Sequence, residues 1–467
     1  MRGSRIATSP LLAGVMTLSL PGHGHAQDTR QPDQMGLSAT QIQIPDTNRT
    51  RLVLENGMVG FVVPDRTVPL VSLTAFMRGG VADDRTQGAA EMLAMMMQTR
   101  GPCWMGPGHF RETLEELNAE FRVAMSPEMT EISINVAADD ADEALRIFSG
   151  IIREPCIDEA GLDAFREEVT RAARARAARA EGSLAEAVEV FKDHLYGNHE
   201  YRRYVTPEDA AELRVEDVTR FHQEHFTPSN VVLSVAGAFQ LMPMAQRVDQ
   251  RFADWEPRRP PSFSNARSLS TPEPRETVRV DVDKLQTWIV IGHELPALDP
   301  RDLVAVQVMN YILGGGHFDT RLFRAARDRR GLTNDATGFL EPGLRGPGTY
   351  TFRTYSRHDV VDELIDLVFA EIERIRTEPV TEEELSVAKG ALIDGMFPML
   401  FENGHTTART FALEWARFVT FDHLASFRDR VENISVRDVQ RAAERYLHPE
   451  RMRVVLMGPA ATSGDSQ

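Results

Sequence analysis

Residues 215–237 read VEDVTRFHQEHFTPSNVVLSVAG, and residues 436–458 read VRDVQRAAERYLHPERMRVVLMG. Displaced by 221 positions, Val215, Asp217, Val218, Arg220, Pro228 and Gly237 fall on Val436, Asp438, Val439, Arg441, Pro449 and Gly458. The same displacement carries Phe148 onto Phe369. Each copy predicts a helix, a turn at proline and a buried strand that ends at glycine. A repeat of this period is a duplicated domain and not a solenoid unit. A chain of 467 residues also exceeds one ordinary core, so two related domains are expected.

Between the copies, residues 256–276 hold Pro257, Pro260, Pro261, Pro272 and Pro274 among Ser and Arg, a composition that predicts an extended linker. The first domain is therefore expected over 45–255 and the second over 277–460. The first opens on a hairpin, because Asn56-Gly57 between Arg51–Glu55 and Met58–Val63 can take positive φ. A strand at Leu70–Met77 and a helix near 86–99 follow. Phe121, Val123 and Met125, then Ile132, Ile134 and Val136, alternate with their neighbours as half-buried strands do. Helices are expected over 139–153 and over 158–181, the latter Ala- and Arg-rich and solvated on one face. The second half predicts strands at 278–282, Thr287–Gly292 and Thr349–Ser356, and helices at 301–313, 319–330, 359–377 and 381–397. Hairpins with irregular alternation favour an α+β class, each domain a mostly antiparallel sheet flanked by helices.

Bulk properties exclude some functions. A formal charge of −17 argues against nucleic acid or an anionic membrane as partner. Residues 1–26 predict a signal peptide: Arg2 and Arg5 precede an apolar stretch from Leu11 to Leu20, and Gly24 and Ala26 are small residues before Gln27. The stretch is too short to span a bilayer and no later run reaches eighteen apolar residues. Export to a periplasm with cleavage after Ala26 is expected, with no membrane association. Cys103 and Cys156 could pair there or stay as two free thiols, and their spacing fits no metal or redox motif.

Three segments carry a family resemblance: GGVADDRTQGAAEMLAMMMQTRG at 79–101, LYGNHEYRRYVTPEDAAEL at 195–213 and MNYILGGGHFDTRLFRAARDRRGL at 309–332. Through them the chain resembles the insulinase/pitrilysin metallopeptidases, including the mitochondrial processing peptidase and its two-chain bacterial relatives, over about residues 45–460. Active members carry H-x-x-E-H in the first segment; the two His face one side of a helix and bind zinc, and the Glu activates water. Here Glu91 stands at the first His position, Ala94 at the general-base position and Met95 at the second His position. The third ligand of active relatives falls near Arg171, between Thr170 and Ala172, with Glu168 close by. Catalytic zinc takes about three ligands from His, Asp, Glu or Cys. A thioether is too soft for it, and alanine takes no proton. Without the metal, water keeps a pKa of about 15.7 instead of roughly 7. No catalytic residue and no cofactor of its own are expected; zinc belongs to a partner.

No other set of residues replaces the missing site convincingly. His222 and His225 lie near one helix face but lack an evident acidic third ligand, and the second copy has Ala443 and Tyr446 there. His199-Glu200 and His293-Glu294 fail the H-E-x-x-H pattern, and His194 and His199 are expected at the surface. Gly314–Gly316 reads as a helix end, with no Lys-Ser/Thr to bind phosphate. In the second half, the resemblance implies an Arg and a Tyr that hydrogen-bond the substrate; Arg327 matches the Arg, and Asn334 stands where Tyr is usual. A guanidinium offers fixed donors to a carbonyl, whereas Asn334 is shorter. Arg327 could equally belong to a solvated basic face with Arg321, Arg324, Arg329 and Arg330.

Two-chain relatives pair a zinc-bearing subunit with one that lacks zinc, around a chamber that admits unfolded peptides. The resemblance therefore implies a non-catalytic subunit partnered by a zinc-bearing homologue and by extended peptides. Those peptides could add to an exposed sheet edge. A stand-alone binding or assembly protein, or a lone protease with unrecognised ligands, are the other readings.

Overall fold

The computed structural model describes residues 44–178, 182–202, 204–259, 263, 275–299 and 301–459. The expected signal peptide, its cleavage point and most of the proline-rich linker lie outside them.

Eleven strands form two sheets among the described residues. They are β1 (Arg51–Val53), β2 (Val59–Pro64), β3 (Leu70–Arg78), β4 (Glu120–Met125), β5 (Met129–Ala137), β6 (Val231–Gly237), β7 (Glu276–Asp281), β8 (Thr287–Leu295), β9 (Ala336–Glu341), β10 (Gly348–Ser356) and β11 (Arg453–Gly458). The first sheet runs β1-β2-β6-β3-β5-β4 and the second β7-β11-β8-β10-β9. In each, one pair is parallel, β2 with β6 and β7 with β11; the other pairings are antiparallel. Apart from the extra β1, the two orders are the same topology. The duplication read from the sequence is thus a duplication of architecture: helix Val215–His225 with β6 corresponds to helix Val436–Tyr446 with β11.

Period-two burial explains how each sheet is covered on both faces. On β3, Val71, Leu73, Ala75 and Met77 point into a core with helices Ala89–Arg100, Ala141–Arg153 and Val215–His225 of the same half. Phe76 on β3, with Phe61 on β2, points the other way and joins the core of the second half. What covers that face is helix Gly404–Phe418, whose Phe411 ring lies 5.8 Å from Phe61 and whose Gly404 amide donates to Asp65 at 2.7 Å. The second sheet is treated in the same way. Helix Leu184–Tyr196 places Ala187, Val188, Val190 and Phe191 against Val290, Val455 and Met457. Gly292 is required there, because a Cβ would meet the Phe191 ring at 3.0 Å and the Tyr350 carbonyl at 2.4 Å. Displaced by 221, Leu184–Tyr196 becomes 405–417, so the exchange obeys the repeat. Each half covers one face of its own sheet and lends a helix to the other, and the division at 255 and 277 does not separate two independent cores.

At Asn56-Gly57 the hairpin forms as expected. Gly57 has φ +86°, and the Asn56 amide donates to the Phe252 and Trp255 carbonyls at 2.7 and 3.0 Å. The Gly314–Gly316 stretch ends helix Leu303–Asn310 in a wider turn over Tyr311–Gly315, and a Cβ at Gly314 would meet the Gly338 amide of β9 at 2.9 Å. Close packing of the helix end on β9 is its role.

Candidate functional site

Helix Ala89–Arg100 begins where Gly88, at φ +94°, turns the chain beside Val205 and Phe165. Asp84 takes the place of an N-cap, accepting from the Gly88 amide at 3.0 Å and the Ala90 amide at 2.8 Å. Burial nevertheless raises its carboxyl to about 7, against the two amides and with the nearby Glu91 and Asp83 charges adding to the rise. Glu91 is half-buried and its carboxyl is also raised by burial, with Arg176 opposing. Both line a cavity of about 50 Å³ with Gln87, Glu200 and Val205.

The donor set does not suit zinc. One turn beyond Glu91, Ala94 offers no donor, and Met95 packs its thioether against the first core. On the long helix Glu159–Ala178, Glu168 and Arg171 are exposed and pair with each other at 2.7 Å. The residue whose charge reaches Glu91 is Arg176, stacked on Tyr204 at 3.5 Å; the sequence reading did not single it out. A guanidinium on that side disfavours a second cation at Glu91. Among the described residues, no group of three or more His, Cys, Asp and Glu side chains could hold a metal ion.

The histidines are structural. His222 is buried, with Nε2 2.9 Å from the Ile152 carbonyl and its ring stacked on Phe226, and burial lowers it to about 4. His225 stacks on Phe221 at 4.2 Å, and burial lowers it as well. His293 is buried and lowered to about 4 for the same reason. His199, expected at the surface, is buried instead: it packs edge-on against Tyr201, whose amide donates to its Nδ1 at 3.2 Å. The turn after helix Leu184–Tyr196 folds back into the space between the halves, which a local reading of Gly-Asn does not foresee.

Arg327 and Asn334 are both exposed. Arg327 lies 3.6 Å from Asp328 and over the Phe323 ring, and neither residue lines the Glu91 cavity. Arg321, in the same basic cluster, is buried in a two-pronged pair with Glu384 at 2.7 and 2.8 Å. Cys103 and Cys156 stand as free thiols that face each other.

A larger cleft of about 560 Å³ opens between the halves, lined among others by Met125, Glu131, Tyr196, Leu344, Arg409 and Arg417. Its wall is held by Glu128, in the β4–β5 turn. The buried carboxylate accepts from the Leu344 and Arg345 amides, each at 2.6 Å, and from the Tyr201 hydroxyl. Arg345 in turn pairs twice with Asp83, at 2.9 and 2.8 Å, in the loop before helix Ala89–Arg100. This clasp joins residues far apart in sequence, and no local motif announces it.

Fold and site together define an α+β protein of two like sheets, with Glu91, Ala94 and Met95 on the helix that follows the Gly79-Gly80 turn. Residues 212–392 match the family described as Peptidase M16 inactive domain. An uncharacterized zinc protease of Mycobacterium tuberculosis is 23% identical over 277 residues, 58% of this chain. The match spans 62% of that relative, under two thirds of its length. The Arabidopsis thaliana protein described as "Probable mitochondrial-processing peptidase subunit beta, mitochondrial" is 20% identical over 90% of this chain and 79% of its own. Among solved structures, the peptidase M16 inactive domain from Pseudomonas fluorescens superposes with TM-score 0.74 at 20% identity, covering 89% of this chain and 99% of that one. A protease from Helicobacter pylori gives TM-score 0.73 at 18% identity over 88% and 99%. The fold is thus that of the M16 peptidase structures, and residues 212–392 match the inactive-domain model of that family.

Proposed function

We propose that the chain is the non-catalytic subunit of a periplasmic zinc peptidase complex, binding extended peptide while a zinc-bearing homologue performs the cleavage. The observation that carries this reading is the helix at 89–100, which offers Glu91, Ala94 and Met95 where a hydrolytic zinc site needs about three ligands and a base, with the Arg176 charge acting on Glu91. The retained architecture supports it: a fold kept without its chemistry needs another use, and the 560 Å³ cleft and the β4 edge offer surfaces to unfolded chain. Arg327 and Asn334 are both solvent-exposed and are assigned to substrate binding, Arg327 as the donor to a substrate carbonyl.

Co-purification tests the assignment. The mature chain should form a stable complex with an M16 homologue that carries intact H-x-x-E-H, and peptide hydrolysis should appear only in that complex. Arg327→Ala should slow hydrolysis by the complex about tenfold, the scale of one lost charged hydrogen bond, while leaving assembly intact. Unchanged turnover removes that role for Arg327. Peptide binding by the chain alone, with no zinc-bearing partner captured, supports instead a stand-alone binding protein.

A further inference from the structure

Strand β4 is the outer strand of the first sheet. At the β4–β5 turn the Ser126 amide donates to the Met129 carbonyl at 2.8 Å, which makes 126 and 129 a hydrogen-bonded pair. Counting back along the register Met125↔Thr130, Ala124↔Glu131, Val123↔Ile132 and Phe121↔Ile134, the backbone groups of Phe121, Val123 and Met125 point away from β5, to the outer edge.

Two of those groups already have a partner. Gln98, on helix Ala89–Arg100, donates from Nε2 to the Phe121 carbonyl at 3.1 Å and accepts at Oε1 from the Val123 amide at 2.7 Å. The opposite amide orientation would set donor against donor, so this one is fixed by its partners. A single side chain thereby makes both bonds that a parallel neighbouring strand would make around Arg122. The next outward pair, the Val123 carbonyl and the Met125 amide, lies toward the cleft, which Ala124, Met125 and Ser126 line.

We infer that Gln98 is a plug on the β4 edge: it stops strand addition at Val123, so that an extended peptide pairs only from there through Met125 and on into the cleft between the halves. Gln98 is a positioning residue that sets peptide register and length. This rests on the peptide-binding reading above.

The test uses the full mature chain with Gln98→Ala and Gln98→Met, both good helix formers at a position where the helix must survive. The probe is a fluorescein-labelled unfolded peptide of alternating Thr and Val, and two quantities are read: its affinity, and hydrogen exchange at the Val123 amide. Removing the plug should raise Val123 exchange and tighten peptide binding roughly tenfold, since the peptide no longer competes with two existing hydrogen bonds. Binding of equal strength to the wild type and both variants overturns the plug while leaving the peptide-binding reading standing. So does Val123 exchange that the variants leave unchanged. Absence of binding to all three proteins removes the peptide-binding reading itself, and the plug with it.

Discussion

Asp84 is a carboxylate that two backbone amides hold and burial pushes toward neutrality. Its folded pKa of about 7 lies above the ordinary 3.8, so the fold favours the protonated form. The linked stability is complete below the unfolded value and is lost as pH rises through 7. Chemical unfolding should show a stability loss of up to about 3 kcal/mol between roughly pH 5 and pH 8, and Asp84→Asn should flatten that slope. A slope unchanged in the variant would assign it to other groups. The thiols offer a second residue-level check. Cys103 is exposed, whereas burial, the facing Cys103 thiol and Asp158 hold Cys156 protonated. Iodoacetamide should therefore label Cys103 well before Cys156, read by mass spectrometry of the digested chain; equal rates would contradict the burial.

Between elements, the energetics concentrate where the halves cross over. Helix Gly404–Phe418 seats the fully buried Phe411 against Phe61 and Phe421, so Phe411→Ala should cost about 3–5 kcal/mol and loosen the first sheet, although the residue belongs to the second half. Because each sheet depends on a helix from the other half, calorimetry should give one cooperative transition. Two resolved transitions would show that the exchange carries little energy. Glu128→Ala should open the clasp, leaving the Leu344 and Arg345 amides without their acceptor at a cost of about 3 kcal/mol, and should expose the 342–347 turn to proteolysis.

The sequence displayed the paired units Val215–Gly237 and Val436–Gly458 because helix, proline turn and buried strand are all local signals. It did not display helices Leu184–Tyr196 and Gly404–Phe418 or strand β9, because their apolar residues answer to partners in the other half or to the sheet interior. The degenerate site was partly legible. Glu91, Ala94 and Met95 sit on one helix at known spacing, whereas Arg176 reaches Glu91 from a second helix, and Gln98 meets β4 only once both are folded. His199 was misplaced because the turn that carries it packs its ring against Tyr196 and Tyr201 instead of presenting it to solvent.

For the whole molecule, the M16-like fold joins two like sheets through exchanged helices and leaves a cleft between the halves. On the proposed reading, the cleft between the halves, the β4 edge and the exposed Arg327 are the surfaces offered to peptide and to a zinc-bearing subunit. Zinc content measured on the purified chain alone, paired with an assay for peptide hydrolysis, tests this most directly. The account predicts substoichiometric zinc and no cleavage until the zinc-bearing homologue is added. One tightly held zinc per chain with cleavage by the isolated protein would contradict it.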